Sequence, residues 1–103
     1  SWLLLLMSFT NCIDAQRTKA VPAIIFDTDM GPDYDDLGAI AVLYALEARK
    51  ECKVLATLSS NGHPAIAPTI ELLNRYFNRG EVPVGIAGPT APAFTHKSGW
   101  NER

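Results

Sequence analysis

An open, mainly parallel α/β sheet is the fold class that the sequence predicts, and three observations predict it. Short apolar runs of strand length recur from Val21 onward, segments of helix length separate them, and clusters of Asp, Gly, Asn and Pro punctuate the joins. Ala23-Ile24-Ile25-Phe26 is the first run, of the kind expected for a strand covered on both faces. Leu37 to Leu46 is almost wholly apolar and precedes Glu47-Ala48-Arg49-Lys50. That predicts a largely buried helix with basic residues at its carboxyl end, where the dipole favours them. Val54-Leu55-Ala56-Thr57-Leu58 reads as a second strand and Ser59 to Pro64 as a loop. Ile70, Leu73 and Phe77 recur at helical spacing, with Gly80 as the stop. Val82 to Ala87 is the third strand, where Pro83 is tolerable only near the start. The order β-α-β-α-β is the opening of a doubly wound, Rossmann-like sheet.

Composition narrows the function. The chain has 103 residues, 48% of them hydrophobic, with a formal net charge of −2. A basic nucleic-acid module, a coiled coil and a disordered tail are excluded, and two cysteines cannot build a disulfide scaffold. Trp2 to Phe9 is an apolar block too short to span a bilayer. It reads as the core of a secretory signal (residues 1–15) whose start is missing, with cleavage near Ala15-Gln16 and an exported, periplasmic or secreted product. Lipid anchoring through Cys12 is a weaker reading, and a buried N-terminal strand or helix is the plain alternative. Cys52, flanked by Glu51 and Lys53 with no His or Cys partner nearby, reads as structural.

The near-neutral total hides one concentrated patch. Five of the six Asp residues (27, 29, 33, 35 and 36) fall within ten positions that contain no Lys or Arg. Parallel strands put their carboxyl ends on one edge, so this loop, Ser59 to His63, and Gly88 to Pro92 share the edge where ligands bind in open α/β sheets. Crowded carboxylates protonate partly, stay in water, or hold a hard cation. Oxygen-only ligands favour Ca²⁺ over zinc. Gly31 is expected to turn the chain sharply and bring Asp29 back towards Asp35 and Asp36. Plainer roles exist: Asp35 or Asp36 capping the helix, and Asp33 in a Pro-Asp turn. They leave Asp27 and Asp29 unexplained.

Ile24-Ile25-Phe26-Asp27-Thr28-Asp29-Met30-Gly31, followed by Asp35-Asp36 and a small-residue helix, resembles the N-terminal signature of the inosine-uridine-preferring nucleoside hydrolases, D-x-D-x-G-x-D-D. The resemblance runs over roughly residues 22 to 92, through Ala56-Thr57-Leu58-Ser59-Ser60-Asn61 and on to Val82-Pro83-Val84-Gly85. Pro32-Asp33-Tyr34 stands where the family pattern has one residue, so either Asp33 or Asp35 takes the first position of the Asp pair.

The resemblance implies hydrolysis of the N-glycosidic bond of ribonucleosides with Ca²⁺ as cofactor. It implies Asp29 as calcium ligand and acceptor of the water's proton, and Asp36 as a second ligand. Asp35 would bind a ribose hydroxyl, Asn61 would orient ribose or water, and Asp27 would support the site. Carboxylates suit a ribosyl cation-like transition state, and calcium lowers the pKa of a water. His63 reads as an exposed loop residue, and His96 lies in the tail. Nothing matches a general acid.

The family's enzymes are longer and commonly oligomeric, so residues 21–103 read as the N-terminal part of such a domain, with half a calcium site and no activity alone. Tyr76, Phe77 and Trp100 are then expected to lack packing partners, and residues 95–103 to form no element. The partners expected are a small nucleoside and other copies of the full-length chain, with no nucleic acid and no stable membrane span. Three other readings stand beside this one. They are a haloacid-dehalogenase-type phosphatase, against which Gly31 and the Asp35-Asp36 pair argue; a calcium- or carbohydrate-binding relative without turnover; and a small interaction domain in its own right.

Overall fold

The computed structural model describes residues 20–31, 34–94 and 99–102; the N-terminal apolar block, Cys12, Asp33 and His96 lie outside them. Strand β1 (Ala23–Thr28), helix α1 (Asp35–Ala48), β2 (Lys53–Ser59), α2 (Ile66–Tyr76) and β3 (Val84–Gly85) follow in order, with a 3₁₀ turn at Trp100–Glu102. The sheet order is β1-β2-β3 and both pairings are parallel. This is the expected open α/β arrangement. Among the described residues no helix is long and apolar enough to cross a membrane.

Coverage of the sheet differs from expectation. Ile40 and Tyr44 of α1 pack with Phe26 and Val54, joined by Leu73 and Phe77 from the region of α2. Ile66 and Ile70 of α2 pack with Met30 and Val84. Both helices therefore lie on one face, because successive crossovers of one hand that step in one direction return on the same side. No element covers the other face among the described residues, and Ile25 is 60% and Leu55 45% exposed there. Helix α1 consequently buries only Ile40 and Tyr44 completely. Gly38, Ala39, Val42 and Ala45 point outward, so it is not the largely buried helix expected.

Strand β2 carries an irregularity that sets its phase. Ile24 pairs with Val54 but Ile25 with Ala56, so Leu55 is an extra residue on β2. Downstream, Phe26 and Thr57, then Thr28 and Ser59, share the helix-covered face. At the bulge the Val54 N–H donates to the Glu47 carboxylate at 2.6 Å, which satisfies a group left outside the ladder. Glu47 also pairs with Arg79. Strand β3 is shorter than the expected Val82–Ala87. Val82 enters the core, Pro83 precedes the strand, and only Val84 and Gly85 pair. Gly85 lies close under Leu58: a Cβ there would meet the tip of that side chain at 2.5 Å and push it aside.

Both helices stop without glycine. Lys50 (φ 61°) and Asn78 (φ 60°) take the left-handed position. Glu51 N–H bonds Leu46 C=O and Lys50 N–H bonds Glu47 C=O; Arg79 to Asn74 and Asn78 to Arg75 repeat the pattern. Gly80 is thus not the stop, and the basic residues Arg49 and Lys50 lie just past the last turn of α1 rather than in it. Phe77 finds partners in Tyr44 and Tyr76, although Tyr76 stays 77% exposed, and Trp100 packs on Tyr34.

The core is tied by one polar side chain. Asn74, 1% exposed, accepts from the Tyr44 hydroxyl at 2.6 Å and donates to the Thr57 hydroxyl at 3.0 Å. It joins both helices to the central strand. Replacing it alone leaves the buried Tyr44 hydroxyl without its partner, at about 1–3 kcal/mol, and leaves the Thr57 hydroxyl only its 3.4 Å bond to the Pro83 carbonyl. Urea melts should therefore show Asn74→Leu less stable than the triple variant Tyr44→Phe/Thr57→Val/Asn74→Leu. A triple variant weaker than the single would contradict this account.

Candidate functional site

The site stands where the carboxyl ends of the strands meet. Strand β1 ends in Thr28, buried beside Ser59 of β2. The chain then turns at Met30, whose φ of 46° is left-handed, so the turn is not made by Gly31 as expected. Gly31 instead permits close approach: a Cβ there would meet the Phe94 ring at 2.9 Å and the Asn61 amide at 3.0 Å.

Asp36 lies in the first turn of α1 and reaches back under this loop. Its Oδ2 accepts from the Thr28 hydroxyl at 2.7 Å and from the Met30 N–H at 3.1 Å. Met30 N–H also reaches Thr28 Oγ1 at 3.0 Å. Capping is therefore not the role of Asp36. Tyr34 holds the N-cap position with no side-chain bond, while Asp35 and Asp36 favour the helix by charge alone. Asp29 accepts weakly from Gly31 N–H at 3.4 Å and hydrogen-bonds Asp36.

The two carboxyls are driven apart in acidity. The bond to Asp36, followed by burial, raises the pKa of Asp29 above its ordinary 3.8, and the charges of Asp36 and Asp35 add to this. Burial alone would raise Asp36 as well. The bonds from Thr28, Asp29 and Met30 outweigh it and hold Asp36 below 3.8. As pH falls, Asp29 is thus the member of the pair that protonates first.

Asn61 sits 2% exposed at the end of β2. Its Nδ2 donates to the carbonyls of Asp29 (3.0 Å) and Phe94 (2.5 Å), and its Oδ1 accepts from the N–H groups of His63 (3.0 Å) and Phe94 (3.1 Å). The amide pins all three loops of this edge. Ser60 N–H to Thr28 C=O and Gly62 N–H to Pro92 C=O complete the tie.

The structure brings Asp29, Asp36 and Asn61 together and leaves Asp27 apart. Asp27 is exposed opposite Leu58 on the bare face, where it lines a hollow of about 320 Å³ with Ser60 and Gly88. Asp35 is exposed at the helix start. His63 is not the exposed residue expected. Its side chain is 28% exposed, its Nδ1 accepts from Ala65 N–H at 3.0 Å, and its Nε2 lies 3.8 Å from Glu102. Residues 95–103 do carry an element, since the 3₁₀ turn brings Trp100 over Tyr34 with ring centroids 5.7 Å apart. The buried Trp100 Nε1 has no partner among the described residues. Sequence reasoning missed Thr28, although a hydroxyl between two carboxylates at a strand end was the available signal. Nothing local marked Phe94, whose role lies in its backbone.

Among the described residues no group of three or more His, Cys, Asp and Glu side chains is gathered for a metal ion. Asp29 and Asp36 are neighbouring carboxylates. Their donor chemistry fits a hard, oxygen-preferring cation such as Ca²⁺, but two carboxylates do not complete its shell.

Three outcomes follow. A group with a depressed folded pKa stabilises above its unfolded value and loses that contribution as pH falls through the folded value, which is the behaviour of Asp36. A raised carboxyl stabilises only below the unfolded value and loses that as pH rises through the folded one, which is the behaviour of Asp29. In EDTA at pH 7, Asp36→Ala should lower the melting temperature by the equivalent of about 1–3 kcal/mol. Asp29→Asn should raise it, with the gain disappearing below pH 3.8; a gain that persists there overturns the assignment. Asn61→Leu should speed amide exchange at His63 and Phe94 by about fivefold or more, since each loses a bond worth about 1 kcal/mol or above.

No family model, no curated protein and no solved structure matches the chain.

Proposed function

We propose that this chain supplies the acidic, cation-holding edge of a hydrolase that cleaves the N-glycosidic bond of ribonucleosides. The carrying observation is the Asp29–Asp36 pair at the carboxyl edge of a parallel sheet, one member held as an anion and the other biased to accept a proton. The resemblance of residues 22–92 to the inosine-uridine-preferring nucleoside hydrolases supports the same reading. Asp29 and Asp36 would hold Ca²⁺, which when bound supplies Lewis acidity towards ribose hydroxyls and water.

Within that reading, Asp29 takes the proton from water and Asp36, anchored by Thr28 and Met30, stays ionised beneath it. Asp35, exposed at the helix start, would accept from a ribose hydroxyl. Their negative charge stabilises the ribosyl cation-like state as the base departs. Asn61 acts through the loops, because its amide is engaged by backbone on both sides. That engagement also favours a second reading, a calcium- or sugar-binding relative without turnover. Asp27, apart from the pair, supports the edge from the neighbouring strand position.

The deciding experiment measures free base released from inosine and uridine, alongside Ca²⁺ titration calorimetry, in the protein that contains this chain. Asp29→Ala should abolish both signals, while Asp27→Ala should keep Ca²⁺ binding. Full turnover in Asp29→Ala would sink the mechanism. Nucleoside binding without base release would establish the second reading.

A further inference from the structure

A second hollow lies at the opposite, amino-terminal edge of the sheet, beyond reach of the acidic loop. It measures about 590 Å³, within the range of small-molecule sites. Its floor is apolar: Ala23 at the start of β1, Tyr44 and Ala48 of α1, the buried Cys52, and Phe77 after α2. Tyr44 and Phe77 stand with ring centroids 5.6 Å apart, and the Tyr44 hydroxyl is already held by Asn74, so these rings present hydrocarbon.

The rim is cationic. Lys50 and Lys53 border the hollow, and neither ammonium has an ion-pair or hydrogen-bond partner among the described residues. Their neighbours differ: Arg49 is paired with Glu51, and Arg79 with Glu47 and Glu81. Glu47, the one carboxylate in the lining, is committed to Arg79 and to the Val54 N–H. In a chain of net charge −2, an apolar hollow with two unpaired cations at its mouth is a local reversal of sign.

We propose that this hollow binds a carboxylate with an apolar tail, the tail lying on Tyr44, Ala48 and Phe77 and the head between Lys50 and Lys53. An uncharged tail leaves both ammonium groups unanswered, and a small inorganic anion leaves the floor wet. The complementarity is therefore to both halves at once.

Calorimetric titration of the protein with octanoate, octanol and acetate separates the two halves, and amide NMR shifts locate the contact. Octanoate should bind saturably at one site, shifting residues 50–53 and Phe77; octanol should bind about tenfold more weakly, and acetate not at all. Lys50→Asn/Lys53→Gln removes both charges while keeping a residue suited to the left-handed position, and should weaken octanoate about tenfold at an unchanged melting temperature. Ala48→Trp, filling the hollow, should abolish binding. Equal affinity for octanol and octanoate, shifts confined to the bare face around Ile25 and Leu55, or no saturable binding would each overturn the proposal.

Discussion

Everything at the acidic edge depends on one buried carboxamide. Asn61 satisfies four backbone groups drawn from three loops, and it is the side chain that reaches all three. One of its two Nδ2 bonds fixes the carbonyl of Asp29, and through it the loop in which Met30 takes its left-handed turn, while the other holds the carbonyl of Phe94. Only then does the Met30 N–H face Asp36 and help hold that carboxylate ionised. The electrostatic difference between Asp29 and Asp36 is thus a result of backbone geometry imposed by an uncharged side chain.

A comparable carboxamide works at the centre of the molecule. Asn74 does for the two helices what Asn61 does for the loops, presenting an acceptor to Tyr44 and a donor to Thr57. Buried amides are costly unless every bond is made, and here they are made to elements far apart in sequence. Tyr44 is thirty positions from Asn74, and Phe94 is thirty-three from Asn61. Such bonds specify one arrangement of parts rather than add greatly to its stability.

That separation explains what the sequence reveals and what it conceals. The strands and helices were legible because apolar period and punctuation are local properties. The Asp29–Asp36 pair was legible because five carboxylates without a basic neighbour form a local anomaly. The sidedness of the sheet was not, since Ile25 is as apolar on a bare face as on a covered one. Neither were the left-handed residues. Met30, Lys50 and Asn78 take conformations that composition would assign to Gly31 and Gly80. Thr28 looked like a spacer between acids, and only its distance to Asp36 shows it as a bridge.

The extra residue at Leu55 has a consequence that reaches the other end of its strand. Because side chains alternate, the bulge inverts the phase of all that follows it in β2. Without it Thr57 and Ser59 would turn away from the helices, Leu58 would turn towards them, and the chain would arrive at Asn61 half a repeat out of step. The reading frame of the acidic edge is set, in this sense, some six residues upstream by a leucine that touches none of it. Deleting one residue between Lys53 and Ala56 would turn the strand over like a ribbon, with Thr57, Leu58 and Ser59 still present in the sequence and none of them facing the same way.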